Sequence, residues 1–306
     1  MVTTRQSLLR AFCVWAVACL LLAPELLLAA EAAAPAQTFS RGLLWRVSKP
    51  GVRTSYVFGT IHLADPRVLE VPDAVVRALA GSKRYYSEND QGAPEAARML
   101  ELAQFEDGRR LEPLIGAEAY AEVLALLRKR QVPDEIIARI KPWAALVNLT
   151  VTPQDYERVT LDQKLAALAL GRKMRALGLE GIEEQIAVFD GIPLDTQVVL
   201  LKHALANRDY FVGLIEPTIQ TWMKRDLAGM VAVQNRTSAR FPEMAAHYAI
   251  LFRSIVENRS VVMAHRLFMP LREGRAFVAV GAMHLYGRRG LLALIAAQGY
   301  RVERIY

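Results

Sequence analysis

Five histidines stand in this chain of 306 residues, and two of them close near-copies of one short device. Tyr56-Val-Phe-Gly-Thr-Ile-His-Leu63 comes early and Val278-Ala-Val-Gly-Ala-Met-His-Leu285 comes late. Each opens with an apolar run of the kind that forms a strand buried on both faces. A glycine, two small or apolar residues, a histidine and a leucine follow. Strands of this kind end where α/β sheets bind ligands. As neighbours in one sheet they would deliver His62 and His284 to a single edge. Gly59 and Gly281 would then let a backbone or a ligand come close. The other three, His203, His247 and His265, fall within helical periodicities and read as ordinary helix residues.

A carboxylate is the natural third member. Arg84-Tyr-Tyr-Ser-Glu-Asn-Asp90 reads as a short strand with Glu88 and Asp90 at its exit. An acid at the end of a buried strand is costly unless it is paired, hydrogen-bonded or on a cation. Two histidines and a glutamate, with one position left for water, make the open arrangement of a catalytic divalent site. Water bound there loses a proton near neutral pH and can attack a carbonyl carbon. The plainer alternative pairs Glu88 with Arg84 or Arg53 on the surface. Glu180 ends another short strand, Met174 to Leu179, and could equally cap the helix that follows. Arg259, in Glu257-Asn-Arg-Ser260, is either an oxyanion or carboxylate partner or a solvated helix residue.

The elements that must position these groups are readable in outline. Leu43 to Ser48 and Ser55 to Gly59 flank Pro50-Gly51 as a hairpin leading to His62. Asp73 to Leu79 is a helix stopped at Gly81. The strand–helix–strand unit that reaches Glu88 calls for parallel pairing with a right-handed crossover, which puts Glu88 on the edge of His62. From Ala93 to Leu271 apolar residues recur at three and four spacing in one helix after another, interrupted at Val151 to Asp155. Tyr210 to Asp226 reads as one helix, and Val256 to Leu271 as one long amphipathic helix ended by Gly274. Phe277 to Gly281 is the second motif strand, Gly287 to Gln298 a helix and Tyr300 to Ile305 the last strand. The fold class is therefore α/β (α+β). A mixed central sheet carries both GxxH strands, and a mostly helical insertion spans about 93–272 within a single domain over 43–306. The chain contains no GxGxxG, P-loop, GxSxG or HExxH.

Composition narrows the setting. With 53% hydrophobic and 23% charged residues the chain is globular. Arg5 and Arg10, the apolar run Ala11 to Leu22 and small residues from Ala29 to Ala34 read as a secretory signal over 1–30, with a linker at 31–42. Pro24 and Glu25 break the apolar run, so membrane contact is expected only transiently, through that signal. The expected location is periplasmic or secreted. Cys13 and Cys19 both lie in the signal, so the exported protein has no thiol and any metal falls to histidine and carboxylate. The net charge is +7, yet the basic residues are scattered without a tract of five, so no nucleic-acid partner is expected.

Gly59-Thr-Ile-His-Leu-Ala-Asp-Pro66, Tyr86-Ser-Glu-Asn-Asp90, Leu179-Glu-Gly-Ile-Glu-Glu-Gln185 and the run from Glu257 to Ile305 resemble the TraB/GumN family. That family is related to the Tiki metalloproteases and, more distantly, to erythromycin esterase and ChaN-like proteins. The likeness covers roughly Leu43 to Tyr306. It implies a pocket shared by both GxxH histidines and an acidic strand exit, with His62, Glu88 and His284 on the motif and Glu180 and Arg259 on accompanying polar positions. In the Tiki branch the pocket is a divalent-metal protease site, implying manganese or cobalt here, with zinc a third candidate. In the esterase branch a matching histidine is the base that activates water, with no required metal. Gly181 and Ser260 depart from the family, which often has Thr and Asn there. Taken with the expected signal, the reading is an exported hydrolase in which water attacks an amide or ester carbonyl, with peptide the substrate expected first, although the resemblance itself supplies no substrate. Its alternatives are the metal-free esterase and a non-catalytic haem- or iron-binding protein.

Overall fold

The computed structural model describes residues 39–90, 93–150 and 159–306. The expected signal with its cysteines, and the break at Val151 to Asp155, lie outside the described residues. Six strands form one sheet: β1 (Leu44–Lys49), β2 (Val52–Thr60), β3 (Arg84–Ser87), β4 (Arg175–Gly178), β5 (Ala276–Gly281) and β6 (Arg301–Arg304). Their spatial order is β4-β3-β5-β2-β1-β6. The pairs β4–β3, β3–β5 and β5–β2 are parallel, whereas β2–β1 and β1–β6 are antiparallel, so the sheet is mixed.

Strands β1 and β2 form the expected hairpin, with Gly51 at φ +78° in its turn, a conformation open to glycine. The two motif strands are neighbours. Gly59 pairs with Val280 and Thr60 with Gly281, so both copies run parallel and finish together. Strand β5 is buried at all six positions and takes the centre. This corrects one expectation: β2 and β3 point the same way but do not pair, because β5 stands between them. A run with no polar side chain cannot occupy a sheet edge at low cost. The helix α1 (Asp73–Ala80), which ends at Gly81 as expected, therefore joins strands two places apart.

Between β3 and β5 the chain is mainly helical, but it contributes β4 to the sheet. The helices that matter below are α2 (Leu161–Gly171), α3 (Ile182–Asp190), α4 (Leu194–Ala206), α5 (Ile215–Met223), α6 (Leu227–Arg240), α7 (Ala245–Phe252) and α8 (Arg259–Arg266). Two long helices expected from periodicity are divided. Tyr210 to Asp226 becomes Arg208–Gly213 and α5, separated at Leu214. Val256 to Leu271 becomes a π-helical stretch Arg253–Asn258, then α8, then Phe268–Glu273. Pro217 and Pro270 each sit in the first turn of the later piece, where a missing N–H and a bulky ring are tolerated. Apolar spacing is blind to that. Gly274 ends the last piece at φ +71°, and a Cβ there would lie 2.4 Å from the Arg53 carbonyl oxygen.

The core is continuous across sheet and helices. Tyr85 of β3 stacks on Phe277 of β5, ring centroids 6.1 Å apart. The Trp222 indole on α5 donates to the Gly59 carbonyl at 3.1 Å, tying the helical part to the first motif strand. No helix among the described residues is long and apolar enough to cross a membrane.

Candidate active site

The ends of β2 and β5 release the chain into His62 and into a single 3-10 turn, Ala282–His284. A Cβ at Gly59 would lie 2.8 Å from Leu285 Cδ1, so the glycine of the first motif is the seat for the leucine of the second. Gly281 has a different task. Its Cβ would lie 2.8 Å from His62 Nε2 and 3.1 Å from Glu88 Oε1, and its N–H donates to Glu88 Oε1 at 2.7 Å. The two glycines let the histidines and the acid crowd together.

All five expected residues meet in one place. His62 Nε2 lies 3.4 Å and His284 Nε2 3.7 Å from Glu88 Oε1, the first atom group beyond β3. Arg259, at the start of α8, donates from Nη2 to Glu88 Oε2 at 2.6 Å and to Glu180 Oε2 at 2.7 Å. Its Nε donates to the same Glu180 oxygen at 3.0 Å. Glu180 follows β4, and its N–H donates to the Glu88 carbonyl at 2.7 Å. Arg84 does not pair with Glu88; it turns to Glu273 instead. Asp90, the second acid at the β3 exit, accepts from the Gly178 N–H at 2.8 Å and closes the strand pair.

Three further residues belong to the constellation: Asp162 and Thr60, to which the sequence assigns no role, and Ser260, which it marks only as a family departure. Asp162, in the first turn of α2, has Oδ2 2.8 Å from His62 Nδ1, while Thr60 donates its hydroxyl to Asp162 Oδ1 at 2.6 Å. Ser260 donates to the Val256 carbonyl at 2.7 Å, so its oxygen accepts from His284 Nδ1–H at 2.9 Å. The family departure at Ser260 thus places a histidine anchor. A signal for Asp162 did exist: it lies three and four residues before Leu165 and Ala166, on the apolar face of its helix. An acid in a first turn reads more simply as a favourable dipole partner, which hides it.

Charge is distributed unequally. Burial works against a cationic His62, but the charge and hydrogen bond of Asp162, with those of Glu88, outweigh it and push His62 up to about 10. For His284 burial dominates and, with Arg259 and His62 adding to it, overrides the pull of Glu88, bringing the ring down to about 4. Burial also opposes the charge on Glu88, yet Arg259 and the histidines hold its carboxyl well below the usual range. One imidazole is thus a donor, the other a neutral base, and a fixed carboxylate lies between them. Beside Arg259 a cleft of about 170 Å³ opens between α3 and α8, walled by Val188 and Val262, with Glu184 and Arg266 among its polar lining.

With this geometry in view, comparison with known proteins is decisive about kinship. The model of the TraB/PrgY/gumN family matches residues 43–304. The chain belongs to this family. Among relatives of this TraB/PrgY/gumN protein are the uncharacterized protein YbaP of Shigella flexneri and YbaP of Escherichia coli K12. Each is 21% identical over 80% of this chain and 89% of the relative. An uncharacterized protein of Treponema pallidum is 20% identical over 80% of this chain and 77% of its own. No solved structure matches.

The residues of this family member suit a divalent ion in kind. Two imidazole nitrogens and a carboxylate oxygen converge, each Nδ1 is anchored by an acceptor, and the spacings of 3.4 and 3.7 Å are close to the ligand–ligand distance of about 3.4 Å expected around a tetrahedral ion. No group of three or more His, Cys, Asp or Glu among the described residues stands as a ready-made metal cage. Gly281 and Arg259 each already donate to one oxygen of Glu88.

Proposed function

We propose that this TraB/PrgY/gumN protein is an exported hydrolase that directs water onto the carbonyl carbon of a peptide bond or a small amide or ester. The observation that carries the reading is the convergence of His62 Nε2 and His284 Nε2 on one oxygen of Glu88, with both Nδ1 atoms held by acceptors behind. Imidazoles presented by one edge only, around a buried carboxylate, suit proton transfer to and from a bound water. Arg259 keeps Glu88 ionised and aimed, and Glu180 balances Arg259. His284, Glu88 and His62 (the last only once its Nε2 gives up its proton) would hold a manganese, cobalt or zinc ion, which when bound supplies a water acidified toward neutral pH. Export is supported by the leader pattern Arg5 to Ala34.

A metal-free hydrolase is a second reading, favoured by the hydrogen bonds that Gly281 and Arg259 already give to the two oxygens of Glu88. The test is hydrolysis of fluorogenic peptides and nitrophenyl esters by protein purified from the periplasm, with and without chelator and added manganese. His62→Ala and His284→Ala are each expected to cost at least about 100-fold. Loss with chelator and recovery with manganese supports the metal reading, and indifference to chelator supports the second. Full activity in both alanine variants would end both.

A further inference from the structure

We propose that Asp162 is the positioning residue of this site: it sets the ring of His62 and the proton on its Nδ1, and Thr60 sets Asp162 in turn. The consequence for catalysis rests on the hydrolase reading above, whereas the positioning itself rests on geometry. A carboxylate only accepts, so its 2.8 Å contact requires the proton on His62 Nδ1 and leaves Nε2 facing Glu88 and His284. Thr60 occupies the other oxygen at 2.6 Å. Asp162 is 5% exposed and Thr60 1%, so neither group has water as an alternative partner.

The backbone around the pair is built to hold it. Thr160 and Gln163 close a reciprocal cap at the start of α2, fixing the turn that carries Asp162. The Leu161 N–H donates to the Leu63 carbonyl at 3.2 Å. Residues 60–63 and 160–163 are therefore joined by a backbone bond and two side-chain bonds. A dipole-favoured acid at a helix start needs only to face solvent. Asp162 instead turns inward onto the one histidine that follows β2.

The experiment uses the full chain with ring-labelled histidine and reads the nitrogen resonances of His62. In wild type Nδ1 gives a protonated, pyrrole-type signal. Asp162→Asn keeps the shape, and with Thr60 holding Oδ1 it turns an amide N–H₂ toward the ring. Nδ1 should then lose its proton and become pyridine-type, the ring keeping its other proton on Nε2. Manganese, titrated alone, should bind about 10- to 100-fold more weakly. Thr60→Val should act in the same direction by a smaller factor. A pyrrole-type Nδ1 in Asp162→Asn with manganese binding unchanged overturns the proposal. If that variant does not fold, Thr60→Val decides: a His62 signal and manganese affinity identical to wild type overturn it equally. Wild type that neither binds manganese nor hydrolyses any substrate defeats the hydrolase reading, and the ring signals then judge Asp162 by themselves.

Discussion

Arg259 holds two buried acids at once, and the energetics of the site turn on it. Glu88 and Glu180 are 7% and 6% exposed, and both find their cation in the same guanidinium, itself 7% exposed. The pair of ion pairs need not add net stability over apolar packing, because desolvation offsets attraction. Removing one partner is another matter. Arg259→Ala leaves two carboxylates without their charge partner in low dielectric and is expected to cost about 3–5 kcal/mol. Urea denaturation measures it, and a loss under about 1 kcal/mol would mean that water reaches these acids freely. Sequence could suggest Arg259 as a carboxylate partner but could not choose its acids, because the choice depends on where β3, β4 and α8 end relative to one another.

At the scale of elements, the duplicated strand–glycine–histidine device works through packing as much as through chemistry. Gly281 has φ −52° in its turn, so alanine is sterically permitted by the backbone. What it would strike is His62 Nε2 at 2.8 Å and Glu88 Oε1 at 3.1 Å. Gly281→Ala is therefore expected to fold and yet displace the ring and the acid, lowering hydrolysis by about 100-fold. Circular dichroism together with kinetics checks both halves, and wild-type turnover in a folded variant would contradict the geometry. The strands, their glycines and the hairpin were legible because burial on both faces and turn chemistry are local. The broken helices were not, since Pro217 and Pro270 interrupt periods that apolar spacing alone reads as continuous.

Across the whole molecule, the helical part has its own pH sensitivity. His203 on α4 lies edge-on to Phe211, Phe241 and Tyr248, and its Nε2 has no hydrogen-bond partner among the described residues. Burial lowers its pKa from 6.5, with Glu243 opposing weakly. The folded ring therefore stays neutral where the unfolded one takes a proton. Its share of stability is complete above about pH 6.5 and drains away as pH falls from there toward the folded value. Between about pH 6.5 and about pH 5 the thermal midpoint of wild type should therefore lose more than that of a variant without this imidazole. His203→Leu should flatten that slope. An unchanged slope in the variant would assign the effect elsewhere.

Local pattern alone determined that this is an α/β chain with two matched histidine strands, an acid at a third strand exit and a long helical middle. Each of these is written in the spacing of side chains over a few residues. Only the tertiary structure decided that β5 stands between β2 and β3, that Arg259 reaches both Glu88 and Glu180, and that Asp162 and Ser260 anchor the two rings. Those contacts join residues from 24 to 171 positions apart. They follow from which apolar surfaces bury against each other, and that competition is settled by the whole chain at once.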